Sequence, residues 1–219
     1  MKSKLLIIVV FAVFISLVFF IVPGDVGDSG SLAEHATDAL RFKADYEALN
    51  DTESHRNIYI PEDNRIVYIE FDDLVNLFDS GTGILFFSRP QCPSCRILIP
   101  TLLQVSYDVD IDIHYYNITY DRDAHNERYI WMLETLNDYL PVDASNQHPD
   151  DPNFDESIKR VTVPHLFFVA DGQIISEIMM NSHPLIVSED FEGIYDLLHG
   201  KFLQVRQVLE RNRGGCPVC

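Results

Sequence analysis

The stretch Gly83-Ile-Leu-Phe-Phe-Ser-Arg-Pro-Gln-Cys92-Pro-Ser-Cys95 decides the fold. Residues 83–88 form a continuous apolar run, which suits a strand buried on both faces. The two cysteines follow it at once, and a helical pattern then continues to about Tyr107. Pro100 lies inside that helix and is expected to kink it. Ile111-Asp-Ile-His-Tyr-Tyr-Asn-Ile-Thr119 reads as the next strand. Strand, helix and strand of these lengths make a βαβ unit, which implies a parallel pair.

Working outward, Ile66-Val-Tyr-Ile-Glu-Phe71 is β-branched and aromatic and reads as a strand. Residues 72–79 read as a short helix, with Leu74, Leu77 and Phe78 on one face and Gly81 beyond its end. Residues 123–140 read as one helix carrying Tyr129, Leu133, Leu136 and Leu140, ended by Pro141. Residues 142–154 are acidic and proline-bearing, an exposed loop. Val161 to Val169, Asp171-Gly172 and Gln173 to Met180 predict a β-hairpin. The last helix is predicted over 188–212, with Phe191, Ile194, Leu198, Phe202, Val205 and Leu209 on one stripe. Upstream, residues 23–30 read as a linker. Ser31-Leu-Ala-Glu34 reads as a capping box opening a helix to about Leu49, with Phe42, Tyr46 and Leu49 on one face, taken as a stalk or an N-terminal addition. Residues 50–57 are polar and read as a loop.

The chain has 219 residues, 34 acidic against 16 basic, and a formal net charge of −18. That balance argues against a nucleic-acid binder, which needs cationic excess to neutralise phosphates. A hydrophobic fraction of 47% excludes general disorder. Lys2 and Lys4 precede an uncharged run, residues 5–22, about as long as a bilayer core requires. The basic flank favours an orientation with the rest of the chain outside the cytosol. No small-x-small cleavage site follows, so an uncleaved membrane anchor is favoured over a removed signal. An extracytoplasmic compartment permits disulfides.

All four cysteines occur in two Cys-x-x-Cys pairs, Cys92/Cys95 and Cys216/Cys219. A pair that follows a buried strand and opens a helix is in the context that makes the motif specific. Free backbone N–H groups and the helix dipole stabilise a thiolate there. Cys92, exposed at the cap, is the expected nucleophile. Cys95, one turn on and facing the interior, is the expected resolving thiol. A structural disulfide or half a zinc site are the alternatives.

Here the residues carry a resemblance. Residues 66–212 resemble the thioredoxin superfamily, through the apolar strand, the Cys-x-x-Cys, the helix containing Pro100 and the strand ending near Asn117. Val163-Pro164, opening the hairpin, resembles the cis-proline which that family sets beside its active site. The resemblance implies a thioredoxin-like fold, a central mixed sheet flanked by helices, with Val163 and Pro164 on the substrate side. It extends to the thioredoxin-like bacteriocin transport accessory proteins. Pro-Ser between the cysteines is closer to glutaredoxins and periplasmic disulfide oxidases, which implies a less reducing pair. Two departures stand out. Phe86 occupies the position of the family's buried acid. Ser88, Arg89 and Gln91 replace its aromatic before the motif, and Arg89 is a candidate to favour the Cys92 thiolate. His165 is a candidate substrate contact. The 121–160 stretch is longer than a minimal member needs and reads as a helical cap beside the site.

The second pair ends the chain after Gly214-Gly215, with no helix behind it and the terminal carboxylate on Cys219. A tethered dithiol that exchanges with Cys92/Cys95 is one reading of it. A stable disulfide, a metal clip or a docking tail are the alternatives. A four-cysteine zinc site is disfavoured by the long separation of the pairs. The glycosylation patterns at Asn50 and Asn117 are read as incidental.

The expected organisation is therefore an anchor or signal (1–22), a linker and stalk helix (23–57), a thioredoxin-like domain (58–212) and a flexible tail (213–219). The expected function is a membrane-anchored extracytoplasmic thiol–disulfide oxidoreductase without metal or other cofactor. Its partners are protein thiols and disulfides and a redox protein that recycles the pair, with no nucleic acid. The competing expectation is a non-catalytic accessory or binding protein of an export or envelope complex.

Overall fold

Strand β2 (Gly83–Ser88) is buried at every residue and sits inside a five-stranded sheet of order β1-β3-β2-β4-β5. The computed structural model describes residues 29–143 and 155–213, with side chains from residue 36. By internal contacts the chain divides into Met1–Glu34 and His35–Cys219, and the second unit carries the sheet. β1 (Ile66–Tyr68) and β3 (Ile113–Asn117) are parallel to each other, and β2 is parallel to β3. β4 (His165–Ala170) and β5 (Gln173–Met179) form the expected antiparallel hairpin, and β4 pairs with β2. Asp171 and Gly172 both have positive φ, 50° and 77°, as a two-residue turn of this kind demands.

The helices, in chain order, are α1 (Ser29–Glu47), α2 (Phe71–Asp79), α3 (Pro93–Val109), α4 (Thr119–Ala124), α5 (Glu127–Thr135), α6 (Pro184–Val187) and α7 (Phe191–Arg213). One face of the sheet presents Phe86, Leu166 and Phe168 to Leu98 and Leu102 of α3 and to Leu198 and Phe202 of α7. The other presents Leu85, Phe87, Phe167 and Val169 to Leu74 and Leu77 of α2 and to Met132 of α5. Both faces are therefore covered, which is why β2 and β4 read as unbroken apolar runs rather than alternating ones.

Several boundaries differ from expectation, each for a local reason. The first strand stops at Tyr68 because Glu70 and Asp73 form a reciprocal capping box that starts α2 at Phe71. The single helix expected over 123–140 is broken. His125 adopts a left-handed conformation, and the Asn126 side chain accepts from Tyr129 N at 3.0 Å to start α5 afresh. A 3₁₀ turn, Asn137–Tyr139, follows. The final helix begins at Phe191, after the short α6, and Phe191 is exposed rather than part of the buried stripe.

The helix read as a stalk lays one face on the core. Ala39, Phe42 and Tyr46 are buried, and Phe42 and Tyr46 pack with Tyr115 of β3. Asp38 accepts the backbone N–H of Tyr68 at 2.9 Å, so α1 also satisfies the free edge of β1. Burying one Phe contributes about 1.5–3 kcal/mol, more than an exposed stalk gains from any surface contact. The apolar run at 5–22 and the Cys216/Cys219 tail lie outside the described residues. No helix among the described residues is long and apolar enough to cross a membrane.

Candidate redox site

Cys92 and Cys95 are joined as a disulfide, with Cα atoms 5.2 Å apart, inside the usual range for such a bond. They stand where β2 hands over to α3. Cys92 is the N-cap, with extended backbone, and Pro93 is the first helical residue. A cap is ordinarily an oxygen that takes a free helix N–H. Here sulfur does so, accepting from Cys95 N at 3.2 Å. The helix terminus is thereby directed at the atom that would carry negative charge in the reduced state.

Val163 O lies 3.6 Å from Cys92 Sγ, and the Val163–Pro164 bond is cis. Pro164 O accepts from Met180 N at 2.9 Å, and Ser94 Oγ donates to Asn181 O at 3.1 Å. The first turn of α3, the start of β4 and the chain leaving β5 are thus tied together around the disulfide. Cys95 is fully buried, as expected. Cys92 is not the exposed cap that the sequence suggests: it is only 5% exposed, because its sulfur packs under the Val163 carbonyl and against the Phe87–Phe167 side of the core.

The other residues singled out in the sequence have these positions. Phe86 is fully buried on the face opposite the Cys92/Cys95 cluster. His165 is also fully buried, too deep to touch a substrate in this state. Its Nε2 lies 2.9 Å from Glu177 Oε2, and its Nδ1 has no partner among the described residues. Arg89 is half-buried. Burial holds its guanidinium below the ordinary value, and repulsion from Arg122 and Arg160 acts in the same direction against Asp123. Of the 121–160 stretch, residues 129–140 pack beside the site: Tyr129, Met132, Leu136 and Leu140 share one buried cluster with both cysteines. Tyr129 Oη accepts from Val161 N at 3.3 Å, two residues before Val163. A cavity of about 900 Å³, lined in part by Arg122, Tyr129, Asp143 and Arg160, opens in this layer, and neither cysteine lines it.

Three polar groups around the site have partners that the sequence did not suggest. Ser88 is buried at the end of β2, its Oγ 2.5 Å from Tyr46 Oη. Burial is the main cause that raises the Tyr46 hydroxyl far above its ordinary value. Arg96, directly after Cys95, is buried as well. Its one legible signal was position: an arginine four residues after Cys92, on the apolar side of α3. Among the described residues no cluster of His, Cys, Asp and Glu is arranged to hold a metal ion.

No known protein family matches the chain, and no curated protein matches it. What the fold and the site define together is a class: an α/β protein whose mixed five-stranded sheet ends in a helix-capping Cys-x-x-Cys disulfide. That arrangement is compatible with the thioredoxin-like fold and with redox chemistry.

Proposed function

We propose that this protein is a thioredoxin-like thiol–disulfide oxidoreductase. The observation that carries the reading is the Cys92–Cys95 disulfide at the N-cap of α3, with Cys95 N–H directed at Cys92 Sγ. From this oxidised state, a substrate thiolate attacks Cys92 Sγ. The Cys92–Cys95 bond breaks, a substrate–Cys92 bond forms, and Cys95 leaves as a thiolate that takes up a proton. A second substrate thiolate then attacks the substrate sulfur of the mixed disulfide. The substrate is left as a disulfide and Cys92 as a thiolate on the helix terminus. Two electrons have passed from substrate to protein. The reverse sequence reduces a substrate disulfide. Val163 and Pro164 form the substrate side of this site in the proposal, with the Val163 backbone offered to an extended segment.

The proposal places the domain outside the cytosol on an anchor at residues 5–22. It assigns Cys216/Cys219 as a tethered dithiol that exchanges with Cys92. The decisive experiment is trapping: Cys95→Ala should accumulate mixed disulfides through Cys92, and none should form when Cys92 is also Ser. A Cys92–Cys216 bond in a Cys95→Ser/Cys219→Ser variant would establish the relay, and only intermolecular dimers would end it. The second reading, a non-catalytic accessory protein, is favoured by one observation, the 5% exposure of Cys92. A Cys95→Ala variant that traps nothing would decide for it.

A further inference from the structure

In a chain of 34 acidic and 16 basic residues, basic groups gather at one place. Arg122 of α4, with Lys159 and Arg160 of the segment entering β4, line the cavity of about 900 Å³. Arg89, three residues before Cys92, is close enough to Arg122 and Arg160 that both repel its charge. The acids present meet this charge only in part. Asp123 lies 3.5 Å from Arg122 Nε, and Asp143 lies 3.5 Å from Arg160 Nη1. Each is a single contact, longer than a charge-assisted hydrogen bond. Glu134 lines the cavity but pairs with none of the four cations. Arg89 and Lys159 make no ion pair among the described residues, and Arg89 Nε is buried without a partner. The Arg122 side chain is only 10% exposed, so water does little to satisfy it.

The cavity adjoins the substrate side of the proposed site. Tyr129 is part of its wall, and Tyr129 Oη accepts from Val161 N, two residues before Val163. Arg160 is three residues before Val163, at most about 11 Å along an extended chain. Paired strands have nearly the same rise per residue. A segment that pairs with the Val163 backbone therefore brings a residue about three positions from its reacting cysteine to the cavity. The volume admits several side chains, and planar guanidinium groups match a carboxylate with two parallel N–H donors. The acids in the lining disfavour a doubly charged phosphate more than a singly charged carboxylate.

We propose that this cavity binds a carboxylate side chain of the substrate protein, so that the preferred substrates are thiols and disulfides set in acidic extended segments. This rests on the redox reading above and gives it a substrate class. The net charge of −18 opposes such a partner at long range, so the cavity is a local exception to the field of the whole molecule. The two influences predict opposite orders of preference.

The test uses the full chain with Cys92–Cys95 oxidised, and three extended peptides with one cysteine each. They carry Glu, Gln or Lys both three positions before and three positions after that cysteine. Loss of the Cys92–Cys95 disulfide is followed by peptide mass spectrometry. Each rate is divided by the same peptide's rate with 2-hydroxyethyl disulfide, a neutral reagent that reports the thiol's own reactivity. The expected order is Glu, Gln, Lys, with Glu about tenfold ahead of Lys and the difference in KM. In about 1 M salt the preference should fall to within about twofold. The reverse order, which net charge alone dictates, or no order at all, overturns the proposal. Arg122→Gln and Arg160→Gln should each cut the preference for Glu below about threefold and leave the Gln peptide within about twofold. Equal losses for all three peptides would also overturn it, and where these variants do not fold the wild-type order decides. Peptides with Ser in place of Cys separate the two claims. If none of the cysteine peptides exchanges, the redox reading fails, and tighter, salt-sensitive binding of the Glu-bearing Ser peptide than of its Gln counterpart, read by fluorescence anisotropy, still supports the carboxylate site. Equal binding removes that site as well.

Discussion

The two ends of the sheet handle polar groups in opposite ways. At the end where β4 turns into β5, Asp171 donates its N–H to Thr82 Oγ1 at 2.9 Å and accepts from Asn212 at 2.8 Å, and its side chain stays more than half exposed. Asp110, at the same end, is likewise exposed between Arg65 and Arg206. At the cysteine end, Ser88, Arg96 and His165 are all buried. Ser88 and Arg96 bond to α1 and the loop behind it, 40 to 50 residues distant in the chain. One end is a turn whose chemistry is visible to solvent. The other is a buried polar set, in which an unpaired group costs far more because the surroundings are less polarisable.

The sharpest way to break this contrast is to remove the reactive atom. Cys92→Ser should reduce thiol–disulfide exchange with a dithiol or disulfide substrate to the uncatalysed rate. Thr82→Ala, at the turn end, should leave it unchanged within about twofold. Equal losses in both would erase the distinction between the ends.

Next in size is the helix behind the cysteine end. Phe42→Ala deletes a fully buried ring and should lower unfolding stability by about 3–5 kcal/mol in a urea titration. A loss under about 1 kcal/mol would return α1 to the status of a stalk.

At the turn end, Gly172→Ala is expected to cost about 1–3 kcal/mol. Gly172 has φ +77°, and an added Cβ would press on the backbone carbonyl of Asp79. The pH profile of Cys92 alkylation by iodoacetamide should not move, and a shift there would show that the two ends are coupled.

The smallest effect concerns Asp110. The Arg65 guanidinium, followed by Arg206, holds its carboxyl below the usual range. A carboxyl whose folded value is depressed stabilises the fold above its unfolded value, near 4, and that contribution fades as pH falls through the lower, folded value. Because Asp110 is mostly exposed, Asp110→Asn should cost no more than about 0.5 kcal/mol at pH 7. The difference from wild type should vanish near pH 2. Asn tolerates the left-handed backbone at this position (φ 55°), so the comparison isolates charge. A difference that persists unchanged at low pH would contradict the ion-pair account.

The βαβ unit, the hairpin at Asp171-Gly172 and the last amphipathic helix were legible from residues 83–212, because strand and helix periodicities are local and strong there. The break at His125–Asn126 was not, because the Tyr129, Leu133, Leu136 and Leu140 spacing fits one long helix. A left-handed residue followed by a side-chain cap ends a helix without any Gly or Pro to announce it. Cys92 and Cys95 were legible as a pair because the motif follows a buried strand and opens a helix.

The sequence alone determined that a sulfur would sit at the start of the third helix, since apolar run, Cys-Pro and helical pattern are all local statements about the backbone. Only the tertiary structure decided that this sulfur is nearly closed off beneath Val163, that Ala39, Phe42 and Tyr46 belong to the core, and that the acceptors Arg96 finds among the described residues are carbonyls. Each of those depends on which distant carbonyl or ring comes to rest against the residue. Burial and partner identity are properties of packing between segments, and no spacing within one segment encodes them.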